Sequence, residues 1–498
     1  MSFRHSRDVD PAAQSQVALC QQRSRQVLQT YWGYSDFRSP QLEVITSLWQ
    51  RRDALVVLPT GGGKSLCFQI PALLQPGLTV VVSPLVALME NQVQELRDRR
   101  LPAALLHSGL PPHQFRQTLQ ALAAHQLRLL YVAPETLLSP KLWAILGEPS
   151  LPVCTLVIDE AHCLAQWGET FRPAYYRLGA VRRSLLATKP PGAQLAIAAF
   201  TATANPQTQA TIQRVLQLAA PAVFRGNPHR PNLELRVQIA WTPRQRKQQL
   251  QHFLGQHLRQ TGLVYVRTRR AAEDLVAWFQ AQGQTTAAYH AGLGPSDRRR
   301  IEQGWLQGQL PFVVCTNAFG MGVNKADVRW IVHYHAPTVL TEYVQEVGRA
   351  GRDGNPAIAL MLVSEPTGWL DSEDKQRHAF FTQQNQEQYR LARSLMPKIP
   401  LEGTVAAVQR QFPQGAIALS LLHSAGCLEW LDPFHYRIHQ RQIPRHWGET
   451  NAHAAQEMRQ YIYTRACRWQ FILQAFGVPA EAEGWRCGHC DRCAGQGK

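Results

Sequence analysis

The chain has 498 residues, too many for one hydrophobic core, and this length suits three or four domains. Its formal charge of +17 favours polyanionic partners, nucleic acid first, although any soluble protein with a basic surface would show the same total. No apolar run approaches the ~20 residues that span a bilayer, and the opening MSFRHSRDVDPAAQSQ lacks a signal peptide's apolar core, so a cytoplasmic protein without membrane association is expected.

In chain order, short aliphatic runs alternate with helical stretches. The first, ALVVL (54–58), leads into PTGGGKS, where Gly61, Gly62 and Gly63 precede Lys64 and Ser65. Glycine suits a backbone that must bend sharply or approach a ligand closely. A lysine and a hydroxyl directly after it suggest a cradle of backbone N–H groups for phosphate. Leu58 stands where the first glycine of G-x-x-x-x-G-K-[ST] belongs, so a plain glycine-rich turn fits this stretch as well. The series continues with TVVVS (79–83), LRLLYVA (127–133), TLVID (155–159) and LAIAAF (195–200). After the Pro-rich joint GNPHRPN (226–232) a second series follows: GLVYV, TTAAYH, FVVCT, WIVHYH and AIALMLV. Strands apolar on both faces and separated by helices predict parallel sheets, and two series predict two α/β domains.

Polar clusters fall at the carboxyl ends of these strands, where open α/β sheets place their sites. Asp159 and Glu160 in LVIDEAHCLAQW end an aliphatic strand. Two adjacent acids there suit a magnesium ion on the phosphates and a polarised attacking water; an acidic loop is the plainer alternative. Arg349 and Arg352 in EYVQEVGRAGRDG would supply positive charge to a departing γ-phosphate from a second domain, or form a surface pair on a helix. From about 364 the alternation stops. A Gln-rich helical stretch leads to AIALSLLHSAGCLEWLDPFHYRIH (416–439), read as a helix, a glycine break and a hairpin turning at Asp432-Pro433. A winged helix has that order, and so does a helical linker with a hairpin. Arginines interleaved with aromatics over 437–468 suit a phosphate backbone or a solvated helix face.

Six of the ten cysteines are scattered, several of them in apolar runs where a free thiol behaves as a small core residue. The remainder, Cys467 on a helix and Cys487, Cys490 and Cys493 in CGHCDRC, have the spacing of a tetrahedral zinc site, with an iron–sulfur cluster as the alternative. His489, between these ligands, is expected to face solvent.

The stretches FRSPQ, TGGGKS, VSPLVALMENQV, APETL, DEAHCLAQWGETFRP, FTATA, YHAGL, TNAFGMGVNKADVRWIVH and QEVGRAGRDG occur in the order seen in superfamily 2 helicases. In detail they resemble the RecQ family of DNA helicases, continuously over 27–363 and again from near 451. The resemblance implies two tandem RecA-like parallel-sheet domains, a helical or winged-helix-like segment and a four-cysteine zinc module. The expected boundaries are an extension (1–26), an ATP-binding domain (27–226), a second helicase domain (227–363), the helical segment (364–450) and the zinc module (451–498). Tyr34, Arg38 and Gln41 would hold adenine, and Thr60, Gly61, Gly62 and Gly63 would line the cradle. Lys64 would contact the β- and γ-phosphates. Ser65 and Asp159 would ligate Mg²⁺, Glu160 would act as base, and His162 would link the site to the second domain. Thr201 and Thr203 would couple hydrolysis to movement, while Gln345, Arg349 and Arg352 close over the γ-phosphate, with Arg352 as the arginine finger.

QWGETFRP resembles the family's aromatic-rich loop. Trp167 and Phe171, with Arg172 beside them, would stack on bases for roughly 1–3 kcal/mol each, core packing being the alternative. The implied activity is ATP-dependent 3′→5′ DNA unwinding in recombination and repair, with ATP, Mg²⁺ and Zn²⁺. Implied partners are single-stranded and tailed or forked duplex DNA, together with single-strand-binding and recombination proteins, at the nucleoid. Three departures stand out. Glu169-Thr170 replaces the usual His-Asp, YVRTRR replaces a motif that usually carries Asn-Ser, and about sixty extra residues precede Cys467. An HRDC domain is expected to be absent, with any winged helix before the zinc. Two rival readings are an RNA helicase or remodeller, and a duplex translocase or DNA clamp.

Overall fold

The computed structural model describes residues 11–167, 172–257, 259–319, 325–439, 450–478 and 483–494. Two compact units emerge. One runs to Thr201 and takes in Gln209–Gly226 and Trp430–Tyr436; the other holds Ala202–Thr208, Asn227–Glu429 and the chain from Arg437 onward.

In the first unit seven strands form a parallel sheet: β1 (Ala54–Val57), β2 (Leu78–Val82), β3 (Ala103–Leu106), β4 (Leu129–Val132), β5 (Val153–Ile158), β6 (Ala196–Thr201) and β7 (Ala222–Arg225). Their order is β3-β4-β2-β5-β6-β1-β7. β1 through β6 are buried along their whole length, as aliphatic strands between two helical layers must be. Val57 pairs with Thr201, and Leu58 N donates to Thr201 O (3.0 Å), so the carboxyl ends of β1 and β6 are level. At the opposite end Asp53 is buried. It accepts two hydrogen bonds from Arg182 Nη1 (2.8 and 2.6 Å) and one each from the backbone N–H of Ile197 (2.8 Å) and Ala219 (2.6 Å).

The second unit holds a six-stranded parallel sheet of β8 (Leu233–Ala240), β9 (Gly262–Tyr265), β10 (Thr286–Tyr289), β11 (Phe312–Cys315), β12 (Trp330–His333) and β13 (Ala357–Ser364), in the order β10-β11-β9-β12-β13-β8. Alternation divides its side chains between two cores. Leu263, Tyr265, Val313 and Ile331 face one way, and Val264, Val314, Trp330 and Val332 the other. Tyr461, Trp469 and Ile472, from the zinc-module sequence, complete the first of these cores.

The segment after β13 is a long helix (Glu373–Leu395), β14 (Glu402–Thr404), helices Val405–Gln411 and Gly415–Ser424, then β15 (Leu428–Trp430) and β16 (His435–Ile438). The sheet order β14-β16-β15 gives it winged-helix connectivity. Of its three strands β14 escapes a sequence reading, because Glu-Gly-Thr has no apolar alternation. All six scattered cysteines are buried. No described helix is long and apolar enough to cross a membrane.

Candidate nucleotide and zinc sites

The loop after β1 is shaped by its glycines and by Gln41. Gly61 and Gly63 adopt φ of 82° and 69°, and helix Lys64–Leu74 starts at once. A Cβ on Gly63 would lie 2.2 Å from Gln41 Nε2, so that position excludes a side chain on two counts. Gln41 Nε2 donates to the carbonyls of Gly62 and Gly63 (3.2 Å each), while its Oε1 accepts from Arg38 N (2.9 Å). The residue expected to read adenine thus braces the loop. Lys64 Nζ donates to Leu58 O (3.2 Å), folded back across the loop it begins. Thr60 and Ser65 are half-buried, and Tyr34 and Arg38 are exposed, Tyr34 with 58% of its surface free to stack.

Asp159 follows β5 directly and is buried; its Oδ1 accepts from Glu160 N (3.0 Å). Burial, reinforced by the adjacent Glu160 charge and opposed by Lys64, pushes its carboxyl up to about 7. A carboxylate in such surroundings calls for a cation. With Ser65 it gives the hard oxygen donors that magnesium takes, so these residues fit the ion. Glu160 has φ of 48°, rare for a residue with a side chain and a mark of local backbone strain. Its Oε2 lies 3.3 Å from Nδ1 of the fully buried His162, and the same nitrogen is 3.0 Å from Thr201 Oγ1. Glu160, His162 and Thr201 therefore form a polar chain from the acids to the end of β6. Thr203 belongs to the second unit, so the chain passes between units within FTATA.

Arg172 anchors the end of the aromatic-rich stretch. It donates to Pro84 O and makes a two-pronged contact with Glu135 (3.2 and 3.3 Å), joining VSPL and APETL. Nothing in the spacing of APETL singles out Glu135 for this part. Phe171 and the Trp167 side chain fall outside the described residues, as do positions 320–324 of TNAFGMGVNKADVRWIVH.

In the second unit, helix Leu340–Val347 carries Gln345, half-buried, and ends two residues before Arg349, which is buried. The turn to Arg352 is held firmly. Gly351 has φ of 59°, and its carbonyl accepts from Arg230 Nη2 (2.6 Å) and Asn232 Nδ2 (2.8 Å). Asp353, next along, is clamped by Arg329 Nη2 (2.6 and 2.7 Å). Arg230 and Asn232 come from GNPHRPN, in sequence only a joint; nothing local signals that they brace a turn over a hundred residues away.

Cys467, Cys487, Cys490 and Cys493 converge, with all four Sγ atoms within 4.8 Å of one another. The Cys467–Cys490 and Cys487–Cys493 separations are 3.9 Å each. A tetrahedron of sulfurs about 2.3 Å from zinc has edges of about 3.8 Å, so the donors fit that metal. Backbone N–H groups of Cys487, Cys490 and Arg468 point at these sulfurs (3.3–3.5 Å). Cys467 precedes helix Arg468–Ala475 rather than lying within it. His489 is not turned to solvent: it is half-buried, its Nδ1 2.7 Å from Cys487 O and its ring 6.0 Å from that of His229. Arg468 is buried and grips Asp491 with two nitrogens (2.8 and 2.9 Å). Asp491 in turn accepts from Val237 N (3.2 Å), and Trp469 Nε1 donates to Leu233 O (3.1 Å), so the module covers the free edge of β8. Of the arginines over 437–468, Arg468 is thus structural and Arg437 pairs with Glu402 (2.6 Å), while Arg459 and Arg465 are exposed.

These features have counterparts in known proteins. Residues 38–212 match the DEAD/DEAH box helicase family, 245–354 the helicase conserved C-terminal domain, and 434–494 the RecQ zinc-binding family. The chain is 52% identical to the ATP-dependent DNA helicase RecQ of Synechocystis over 95% of its own length and 98% of that protein's. The chain belongs to the RecQ family of DNA helicases. It is an ATP-dependent enzyme of the RecQ type, and its cofactors are ATP, Mg²⁺ and Zn²⁺. The RecQ of Haemophilus influenzae is 40% identical over 69% of this chain and 54% of its own. Among solved structures, Mss116p bound to ssRNA and AMP-PNP matches with a TM-score of 0.58 over 75% of this chain and 78% of its own, at 16% identity. Mycobacterium smegmatis Lhr bound to ssDNA and AMP-PNP matches with a TM-score of 0.55 over 87% and 61%, at 19% identity. At such identities the likeness speaks for the fold alone.

Proposed function

We propose that this RecQ-type helicase moves 3′→5′ along single-stranded DNA, with the nucleotide-facing residues divided between two helicase domains at 27–226 and 227–363. The observation that carries the reading is the alignment of Lys64, Asp159, Glu160, His162 and Thr201 at the carboxyl ends of β1, β5 and β6. Tyr34 stacks on adenine beside Arg38, and Gln41 holds its edge while bracing Gly62 and Gly63. Thr60 through Gly63 offer backbone N–H groups, and Lys64 leaves Leu58 O for the β- and γ-phosphates. Ser65 and Asp159 would hold the magnesium, which when bound would supply positive charge to the phosphate oxygens. Glu160 takes a proton from the attacking water. His162 relays its state to Thr201, and through FTATA to Thr203. Gln345, Arg349 and Arg352 stabilise charge on the γ-phosphate, with Arg352 as the finger.

Trp167, Phe171 and Arg172 report bound DNA to the acids, Arg172 through Glu135 and Pro84. Tailed and forked duplexes are the substrates, in recombination and repair at the nucleoid, alongside single-strand-binding and recombination proteins. In Lys64→Ala and Glu160→Gln, ATP hydrolysis driven by single-stranded DNA falls at least a hundredfold. Strand displacement by the unaltered chain needs a 3′ tail. Stimulation by RNA in place of DNA, or hydrolysis without displacement, would overturn the reading.

A further inference from the structure

The departure in YVRTRR has a structural counterpart. Arg267, just beyond β9, is half-buried as a residue but has only 6% of its side chain exposed, and its guanidinium faces two acids on one side of helix Leu340–Val347. Nη1 donates to Glu342 Oε1 (2.8 Å), and Nη2 to Glu346 Oε2 (3.0 Å). The two acids are four residues apart, one helical turn, so a single planar fork spans both. Glu346 also accepts from His333 Nε2 (2.7 Å), and the His333 ring lies 5.4 Å from Tyr265 at 17° and 5.2 Å from Tyr343. Glu342 takes further donors from Asn317 Nδ2 and Thr338 N (3.4 Å each). Beyond Glu346, Arg349 N donates to Glu346 O (3.2 Å). The clamp thus grips the turn of helix that presents Gln345 and launches Arg349 and Arg352.

We infer that Arg267 is a positioning residue for hydrolysis: by bridging Glu342 and Glu346 it fixes the rotation and height of the helix that delivers Gln345, Arg349 and Arg352. It touches no reacting atom. The inference rests on the reading of those arginines as γ-phosphate groups. A misplacement of about 1 Å at such groups costs on the order of a hundredfold in rate, so a buried clamp one turn away has leverage on kcat. Lysine keeps the charge but, as a point donor on a flexible stem, cannot fork across both acids.

The test measures DNA-stimulated ATP hydrolysis, binding of single-stranded DNA and thermal melting for Arg267→Lys, Arg267→Gln, the double variant Arg267→Gln/Glu346→Gln, and Arg352→Ala. Expected are a kcat about ten- to a hundredfold lower in all three Arg267 variants, with KM for ATP and DNA affinity within about threefold of the unaltered chain. The double variant neutralises one of the two carboxylates that Arg267→Gln leaves without their guanidinium, and regains part of the lost melting temperature without regaining kcat. A kcat that returns together with the melting temperature makes Arg267 a structural residue and overturns the inference, as does unchanged kcat in Arg267→Lys. Should Arg352→Ala abolish hydrolysis while the Arg267 variants keep it, this inference alone falls. Should Arg352→Ala hydrolyse normally, the reading of the arginines falls and this inference with it.

Discussion

Asp53 and Asp159 are both buried aspartates in the first unit, one just before β1 and the other just after β5, and they are treated in opposite ways. Asp53 has its carboxylate oxygens surrounded by donors: a guanidinium nitrogen and two backbone amides. Asp159 accepts one local amide, and burial lifts its carboxyl to about 7. Residue type and burial alone therefore do not distinguish a structural acid from a working one. The number of protein donors does. At the amino end of the sheet the protein satisfies its own charge, and at the carboxyl end it supplies one local amide, which suits the magnesium ion proposed there.

Asp159→Asn should reduce DNA-stimulated hydrolysis by about a thousandfold or more, because several kcal/mol of charge stabilisation would go with the proposed magnesium ligand. Its melting temperature should hold or rise, since a costly buried charge has gone. A lowered melting temperature would break the contrast. Asp53→Asn should do the reverse: one carboxylate oxygen becomes a donor facing other donors, and stability falls by about 3–5 kcal/mol in denaturant titration. Hydrolysis per folded molecule should stay normal; a specific loss of kcat would show that this end also serves chemistry. The smallest effect belongs to Gln41→Ala. Two amide-to-carbonyl bonds to the loop are worth about 1 kcal/mol each, so KM for ATP should rise about ten- to thirtyfold with kcat little changed. An unchanged KM would mean that the loop holds its shape without the brace and that Gln41 adds nothing to adenine binding.

Much of the site was legible because its chemistry is local. Glycines before Lys64, an acid pair ending an aliphatic run and three cysteines at two-residue gaps each announce themselves within a dozen residues. The two parallel sheets follow from runs apolar on both faces. What the sequence hid is pairing over distance. Asp53 finds Arg182, Arg246 finds Asp371 and Asp374, Arg230 finds Gly351, and nothing in the spacing of these residues ties one to the other. Arg267 showed itself only as a departure within YVRTRR, and Glu342 and Glu346 as acids one turn apart on a helix. Their meeting needs the fold. β14, the first strand of the segment after β13, was hidden for a plainer reason, being three residues long and polar.

The seal over β8 also reaches beyond the zinc module itself. Asp491 and Trp469 occupy hydrogen-bonding positions that a neighbouring strand would otherwise take. An unsealed edge is a template for intermolecular pairing. A molecule stripped of its metal would lose the fold that presents Asp491, and this border would lie open with Ile239 and Trp241 already exposed beside it. Self-association is then the expected fate of a demetallated preparation, visible by light scattering. The four cysteines would serve solubility as much as shape.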